Sequence, residues 1–358
     1  MYSVDIIEVS KTNLLGAPAK ITELGVSPIT GMNMSFLLSK LAFNIAMSIS
    51  FENITPILYY RLDMISSRLI EIMINKRCTN FRLISDPHLV FKDFSFSSRI
   101  GEVGQGLTRM FVQEILNQPF CINFEDYIAR RRINVPNNQS RSDFIYIDFS
   151  KRERGLIDSK ATFFKSIDEN GNDLKGVGKQ LRDGLNQCKN INSYINKPTS
   201  TVKIPFHKYG CSCIKFHDSN SVHNTKILYV DPVIDSEKIS DEELFEDVLL
   251  YYLTLLEKIN PDNVIEINRR FYNYETANYG GHEFYIIQPS DRLTSFINGL
   301  TKNKKKIIFG ISTEIIKYII EKNLDFFSNY DQIQNKFNRI EPKENYEIFK
   351  DGTVLAFK

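Results

Sequence analysis

Asp143, Asp158 and Lys160 are the residues whose types and spacing best fit chemistry. Asp143 opens an apolar, β-rich run, Ser142–Phe149. Asp158 and Lys160 lie two apart in a second such run, Gly155–Thr162, after a polar turn at Lys151–Arg154. A hairpin centred on Arg152-Glu153 sets residue 150 against 155, Asp143 against Thr162 and Ile145 against Lys160. Directly opposed residues point to the same side of a sheet, as do residues two apart on one strand. The three side chains then share a face, although a one-residue change in the loop would turn Asp143 to the other side. Two carboxylates and an ammonium on a half-buried face need a counterpart, because unpaired charges there are costly. A hard divalent cation such as Mg²⁺, held by oxygen ligands, supplies it. Such an ion activates water and neutralises charge on a phosphate. A neighbouring lysine stabilises the charge that develops during attack.

The order Asp143, apolar strand, Asp158-Ser159-Lys160 resembles the PD-(D/E)xK nuclease superfamily, over about 100 residues from Gly101 to Tyr194. The resemblance implies a restriction-endonuclease-like α/β (α+β) core, a mixed sheet flanked by helices. It implies that Glu102, Asp143 and Asp158 ligate the metal, with Glu114 as the reserve acid. It also implies that Lys160 assists the attacking water and that Gln180, on the following helix, supports the site. Ser142 stands where the family pattern often has proline. Two other acid-x-Lys triplets occur, Asp173-Leu174-Lys175 and Glu341-Pro342-Lys343, but in a turn and beside a proline. The competing reading of Asp158 and Lys160 is an exposed ion pair on an edge hairpin, contributing ~0–1 kcal/mol.

Other clusters carry less. His207, Cys211, Cys213 and His217 all fall at odd positions, so one extended strand would spread them along a single face instead of around a tetrahedral zinc. A kink at Gly210, with His223 as a further ligand, is what zinc would require; small buried thiols are the preferred reading. His282 follows Gly280-Gly281 with no nucleophile context, and reads as a loop histidine. Gly176-Val177-Gly178-Lys179 is too short for a nucleotide-binding loop. Arg130, Arg131 and Arg132, with Arg141, precede the first acidic strand and are candidates for phosphate contacts.

The elements that must position these residues divide the chain into three expected regions. Residues 1–95 read as a mainly helical accessory region, with a strand near Val4–Val9 and helices at Ser35–Ser48 and Ile54–Ile74. Residues 96–235 read as the nuclease core: helix Gly101–Leu116, the two acidic strands, helix Gln180–Ile195, then strands at Thr201–Pro205, Gly210–Phe216 and Lys226–Val230. Residues 236–358 read as an α+β region. It opens on a helix capped by Ser240 and Glu243 and continues with strand Glu283–Gln288, helix Ser290–Leu300, strand Lys306–Ile311 and a helix from Glu314 to Phe327. A hairpin turning at Asp351-Gly352 ends it.

The 358 residues carry a net charge of +2, with 42% hydrophobic and 25% charged residues, which fits a globular chain; the near-neutral total does not argue for a dedicated nucleic-acid coat and does not exclude DNA binding. Five cysteines make no disulfide framework. Met34–Phe51 reads as a buried or amphipathic helix and not as a membrane span, and the N-terminus does not read as a secretory signal. The expectation is a cytoplasmic endonuclease acting on DNA, of the kind used in restriction or antiviral (anti-phage) defence. It would work as a homodimer or beside a helicase or ATPase subunit, with no membrane role. The alternative is a non-catalytic nucleic-acid-binding or assembly subunit that keeps the nuclease fold.

Overall fold

The computed structural model describes residues 1–9, 32–48, 66–91, 93–135, 141–163, 177–195, 204, 206–230, 238–260, 275–302, 305–338, 343 and 345–358. Among these the strands are β1 (Tyr2–Glu8), β2 (Asn33–Phe36), β3 (Phe120–Asn123), β4 (Phe144–Asp148), β5 (Glu153–Phe163), β6 (Lys208–Phe216), β7 (Lys226–Val230), β8 (Thr276–Tyr279), β9 (His282–Ile287), β10 (Ile307–Ser312), β11 (Tyr346–Ile348) and β12 (Thr353–Phe357). The helices are α1 (Leu38–Ser48), α2 (Pro87–Val90), α3 (Asp93–Glu114), α4 (Phe124–Arg130), α5 (Val177–Ile195), α6 (Asp241–Ile259), α7 (Asp291–Thr301), α8 (Thr313–Ile320) and α9 (Asp325–Asn338). Residues 66–73 are also helical. No helix among the described residues is long and apolar enough to cross a membrane.

The architecture is mixed α/β. A seven-stranded sheet runs β2-β1-β7-β6-β5-β4-β3. Its β1–β7 and β5–β6 pairs are parallel and the others antiparallel. An antiparallel five-stranded sheet runs β11-β12-β10-β9-β8. One continuous apolar core passes through both sheets and across the expected boundaries near residues 95 and 235. Phe43 of α1, for example, stacks on Phe309 of β10 at 5.7 Å. The first 36 residues give the large sheet two strands, so this region is more than a helical addition.

Local sequence explains the elements that hold the site. Asp148 ends β4 and its Oδ1 accepts from Ser150 Oγ (2.8 Å) and Lys151 N (3.1 Å). An aspartate folded back on its own backbone makes a tight turn, and Arg152 completes it at φ 55°. The loop is thereby held to residues 149–152, and Asp148 pairs with Glu153. This corrects the expected register: Phe144 pairs with Ile157, so the same frame brings Asp143 opposite Asp158 instead of Thr162. The slip is four residues. An even slip keeps every side chain on its side of the sheet, so the expected shared face survives.

Elsewhere the α6 capping box forms as read, with Ser240 and Glu243 each bonded to the other's backbone N–H. The single helix expected over Glu314–Phe327 is two, α8 and α9, parted where Lys322 takes φ 47°. Gly352 turns the last hairpin at φ 76°. The calls on Asn170–Asp173, Asp173-Leu174-Lys175, Gly176, most of Thr201–Pro205, Glu341-Pro342 and the first part of Ile54–Ile74 lie outside the described residues.

Candidate active site

Helices α3 and α5 cover opposite faces of β5. Thr108 of α3 bonds Ser159 Oγ (2.8 Å) and Ser212 Oγ (2.6 Å), and Gly104 passes close to Ala161. On the other face α5 lays Leu181, Leu185 and Cys188 over the sheet, all fully buried. Gly184 is the point of closest approach. A Cβ there would lie 2.3 Å from Cys211 Sγ and 2.7 Å from Asp158 Oδ2. Glycine at this position lets the helix press onto the acid. We expect Gly184→Ala to destabilise the fold: overpacking costs ~1–3 kcal/mol, against a helix-propensity gain of at most ~1 kcal/mol. A thermal melt checks this, and a variant as stable as wild type would refute it.

Asp143, Asp158 and Lys160 come together. Asp143 is partly exposed at the rim and both its oxygens are held, Oδ1 by Gln105 Nε2 (2.7 Å) and Oδ2 by the Ser159 amide (2.7 Å). Asp158 is sealed beneath, 0% exposed, and its Oδ1 receives no hydrogen bond. Lys160 Nζ approaches Asp158 Oδ2 at 2.7 Å as an ion pair and donates to Gln187 Oε1 at 3.1 Å. Gln187 Nε2 in turn donates to the Arg141 carbonyl.

The electrostatics follow from this crowding. Burial and then the Asp143 charge push the Asp158 carboxyl up to about 7, with Lys160 pulling the other way. Burial also raises Asp143, against the Ser159 amide, Lys160 and Gln105. Burial alone would lower Lys160, but the adjacent Asp158 outweighs it, and the ammonium is held above its usual range. The carboxylate pair therefore holds a proton to higher pH than isolated aspartates would.

The remaining expected residues are placed elsewhere. Glu102 accepts from Ser66 Oγ (2.6 Å) and pairs with Arg99 (2.5 Å). Among the described residues no three or more His, Cys, Asp or Glu gather as a metal-holding group, so Glu102 does not complete a three-acid set with Asp143 and Asp158. Its neighbour one turn on, Gln105, is the α3 residue that reaches Asp143. Glu114 lies twelve residues further along α3, about 18 Å at 1.5 Å per residue, and pairs with Lys40 at 2.8 Å. Gln180 offers Cys211 only its backbone carbonyl, at 3.9 Å. The glutamine on Lys160 is Gln187, seven residues on and so two turns along the same helical face.

The arginines are largely spent on structure. Arg130 pairs with Glu257, and Arg131 with Glu246 and Asp247, all on α6. Arg141 pairs with Glu125 and donates to the Val135 carbonyl. Arg132 is exposed at φ 54°. The histidine–cysteine set does not converge either. His207 Nδ1 accepts from the Arg154 amide (3.2 Å), Cys211 and Cys213 sit in the apolar layer under α5, and His217 contacts Ser221 Oγ (3.1 Å) and the His223 ring. His282 opens β9, its ring packed on Phe337.

Gln187 gives a direct test of how Lys160 is held. We expect Gln187→Ala to slow any metal-dependent turnover about tenfold, the value of one charged hydrogen bond of ~1.5 kcal/mol, and to leave Mn²⁺ affinity unchanged. Single-turnover kinetics beside a Mn²⁺ titration separates the two, and undiminished turnover would remove the positioning role.

No family model, no curated protein and no solved structure matches this chain.

Proposed function

We propose that the chain is a Mg²⁺- or Mn²⁺-dependent nuclease that hydrolyses phosphodiester bonds in DNA, with Asp143, Asp158 and Lys160 as its working residues. On this reading α3, β4, β5 and α5 form a restriction-endonuclease-like core. The observation that carries it is the fully buried Asp158 carboxylate, packed against Asp143 and ion-paired to Lys160 through Oδ2, with Oδ1 left without a donor. A buried polar oxygen without a donor is costly, and a hard cation is the partner that two adjacent carboxylates suit.

Asp143 and Asp158 would hold the ion. When bound, it would acidify a water and offset charge on the phosphate. Asp158 must first give up its extra proton. Lys160, kept charged by Asp158, presents an N–H donor where negative charge grows on phosphate oxygens. Gln187 fixes the direction of that donor, and the Ser159 amide and Gln105 fix Asp143. Gly184 and the apolar face of α5 exclude bulk water from beneath the acids. Glu102 would join only by leaving Arg99 and Ser66. Arg132 is the arginine of the predicted patch most open to a phosphate. A role in antiviral defence, a homodimer and a companion ATPase belong to the same proposal and rest on the motif alone.

The test is nicking of supercoiled plasmid with Mg²⁺ or Mn²⁺ against an EDTA control. Metal-dependent nicking supports the reading. Salt-sensitive DNA binding indifferent to EDTA, with no cleavage of any substrate, would replace it with the non-catalytic scaffold.

A further inference from the structure

A cavity lies at the seam of the two sheets, and none of its lining residues belongs to the Asp143–Asp158 group. Here the end of β2, the start of α1, the C-terminal end of α3 and β11 enclose a cavity of about 200 Å³. Lys40, Glu114, Glu347 and Lys350 make its polar wall, and Phe36 and Phe337 its apolar one. One water occupies ~30 Å³ of liquid, and drug-sized pockets start near ~300 Å³. The space therefore suits a molecule of several heavy atoms, smaller than a nucleotide.

The polar wall is specific. Lys40 Nζ lies 2.8 Å from Glu114 Oε1 and 3.3 Å from Glu347 Oε1. Lys350 Nζ donates to the Glu114 carbonyl (2.9 Å) and to Asn117 Oδ1 (3.1 Å). Its third proton has only Glu114 Oε2, at 3.9 Å. Glu347 is 2% exposed, and its Oε2 receives no hydrogen bond. The wall thus holds one sealed carboxylate oxygen lacking a donor and one ammonium proton lacking a close acceptor.

Among the side chains that line the cavity two lysines and two glutamates balance, so a ligand of net charge would leave one side-chain charge uncompensated in a confined site. A ligand carrying both charges matches the wall without that penalty. We propose that this cavity binds a small zwitterion, a free α-amino acid, with its ammonium on Glu347, its carboxylate on Lys350 and its side chain against Phe36 and Phe337. The inference is independent of the nuclease reading.

Calorimetric and thermal-shift titrations of the full chain with the twenty L-amino acids, one at a time, test it. Acetate and methylammonium serve as the separate halves. At least one amino acid should bind with a Kd below about 1 mM, and each half at least about tenfold more weakly. Lys350→Met and Glu347→Gln should each weaken binding about tenfold or more. Lys350 is the outer partner, so its variant keeps the test alive if loss of Glu347 unsettles Lys40. The proposal is overturned if no amino acid binds at about 10 mM, the cavity then holding water alone. It is also overturned if one binds and Lys350→Met leaves its affinity intact.

Discussion

Alanine at Asp158 or Lys160 is expected to abolish metal-dependent plasmid nicking, with rates down at least about 10²-fold, the scale on which one preorganised electrostatic contact counts in a transition state. The two losses should differ in kind. Asp158→Ala removes half of the carboxylate pair, so Mn²⁺ affinity should fall together with rate. Lys160→Ala removes a charge that acts on the phosphate, so Mn²⁺ should still bind. It should even bind more tightly per site, because the ammonium 2.7 Å from Asp158 Oδ2 no longer competes for that oxygen. Rate and Mn²⁺ affinity measured together on each variant read out this contrast. Nicking by both variants at the wild-type rate would mean that cleavage arises from a contaminant or another site. Equal loss of metal binding in both would mean that Lys160 supports the fold and not the chemistry.

The face that Asp143 and Asp158 share was legible in the sequence because side-chain direction in strands has period two. Asp143 and Asp158 stayed together even though the register moved by four. The register itself was hidden in Asp148, read as a strand residue, whose side chain closes the turn on Ser150 and Lys151. Helix α5 shows the same division. Its apolar spacing located the helix, but which glutamine meets Lys160 depends on where the helix touches the sheet, and Gly184 decides that. Gln180 and Gln187 are equivalent on a helical wheel and differ only in height along the axis.

Long-range partners were the least legible. Arg130 and Arg131 look like a phosphate patch until α6, more than a hundred residues on, supplies Glu246, Asp247 and Glu257. Strand β1 pairs with β7 across some 220 positions, a contact that no local pattern reports. Gln105 went unremarked because a metal motif directs attention to acids, while the α3 side chain on Asp143 is an amide.

Stability should fall as pH rises through the range in which Asp158 loses its proton, the opposite of the usual carboxylate behaviour. The sign follows from where the carboxyl sits. Burial and Asp143 hold its folded pKa at about 7, and the unfolded value is about 3.9. Between these pH values the folded chain binds more protons than the unfolded chain, so the free energy of unfolding decreases with pH. Asp143, raised by its own burial, adds the same sign. So do Glu347 and Asp351, both raised by burial elsewhere in the core, so the wild-type curve alone does not isolate the site. The difference between wild type and Asp158→Asn does. The amide keeps the volume and removes the charge that Asp143 opposes. It should raise Tm by several degrees at pH 8, by less at pH 5, and by nothing below about pH 4, where the carboxyl is protonated in both states. Divalent ions should reverse the wild-type trend. Their binding needs both carboxylates ionised and must expel the shared proton, so Mn²⁺ affinity should climb about tenfold per pH unit below pH 7 and level off above it. Calorimetry in two buffers of different ionisation enthalpy counts that proton directly. A wild-type Tm that rises toward pH 8 in parallel with Asp158→Asn, or Mn²⁺ binding with no proton released at pH 6, would show that the two aspartates do not share a proton.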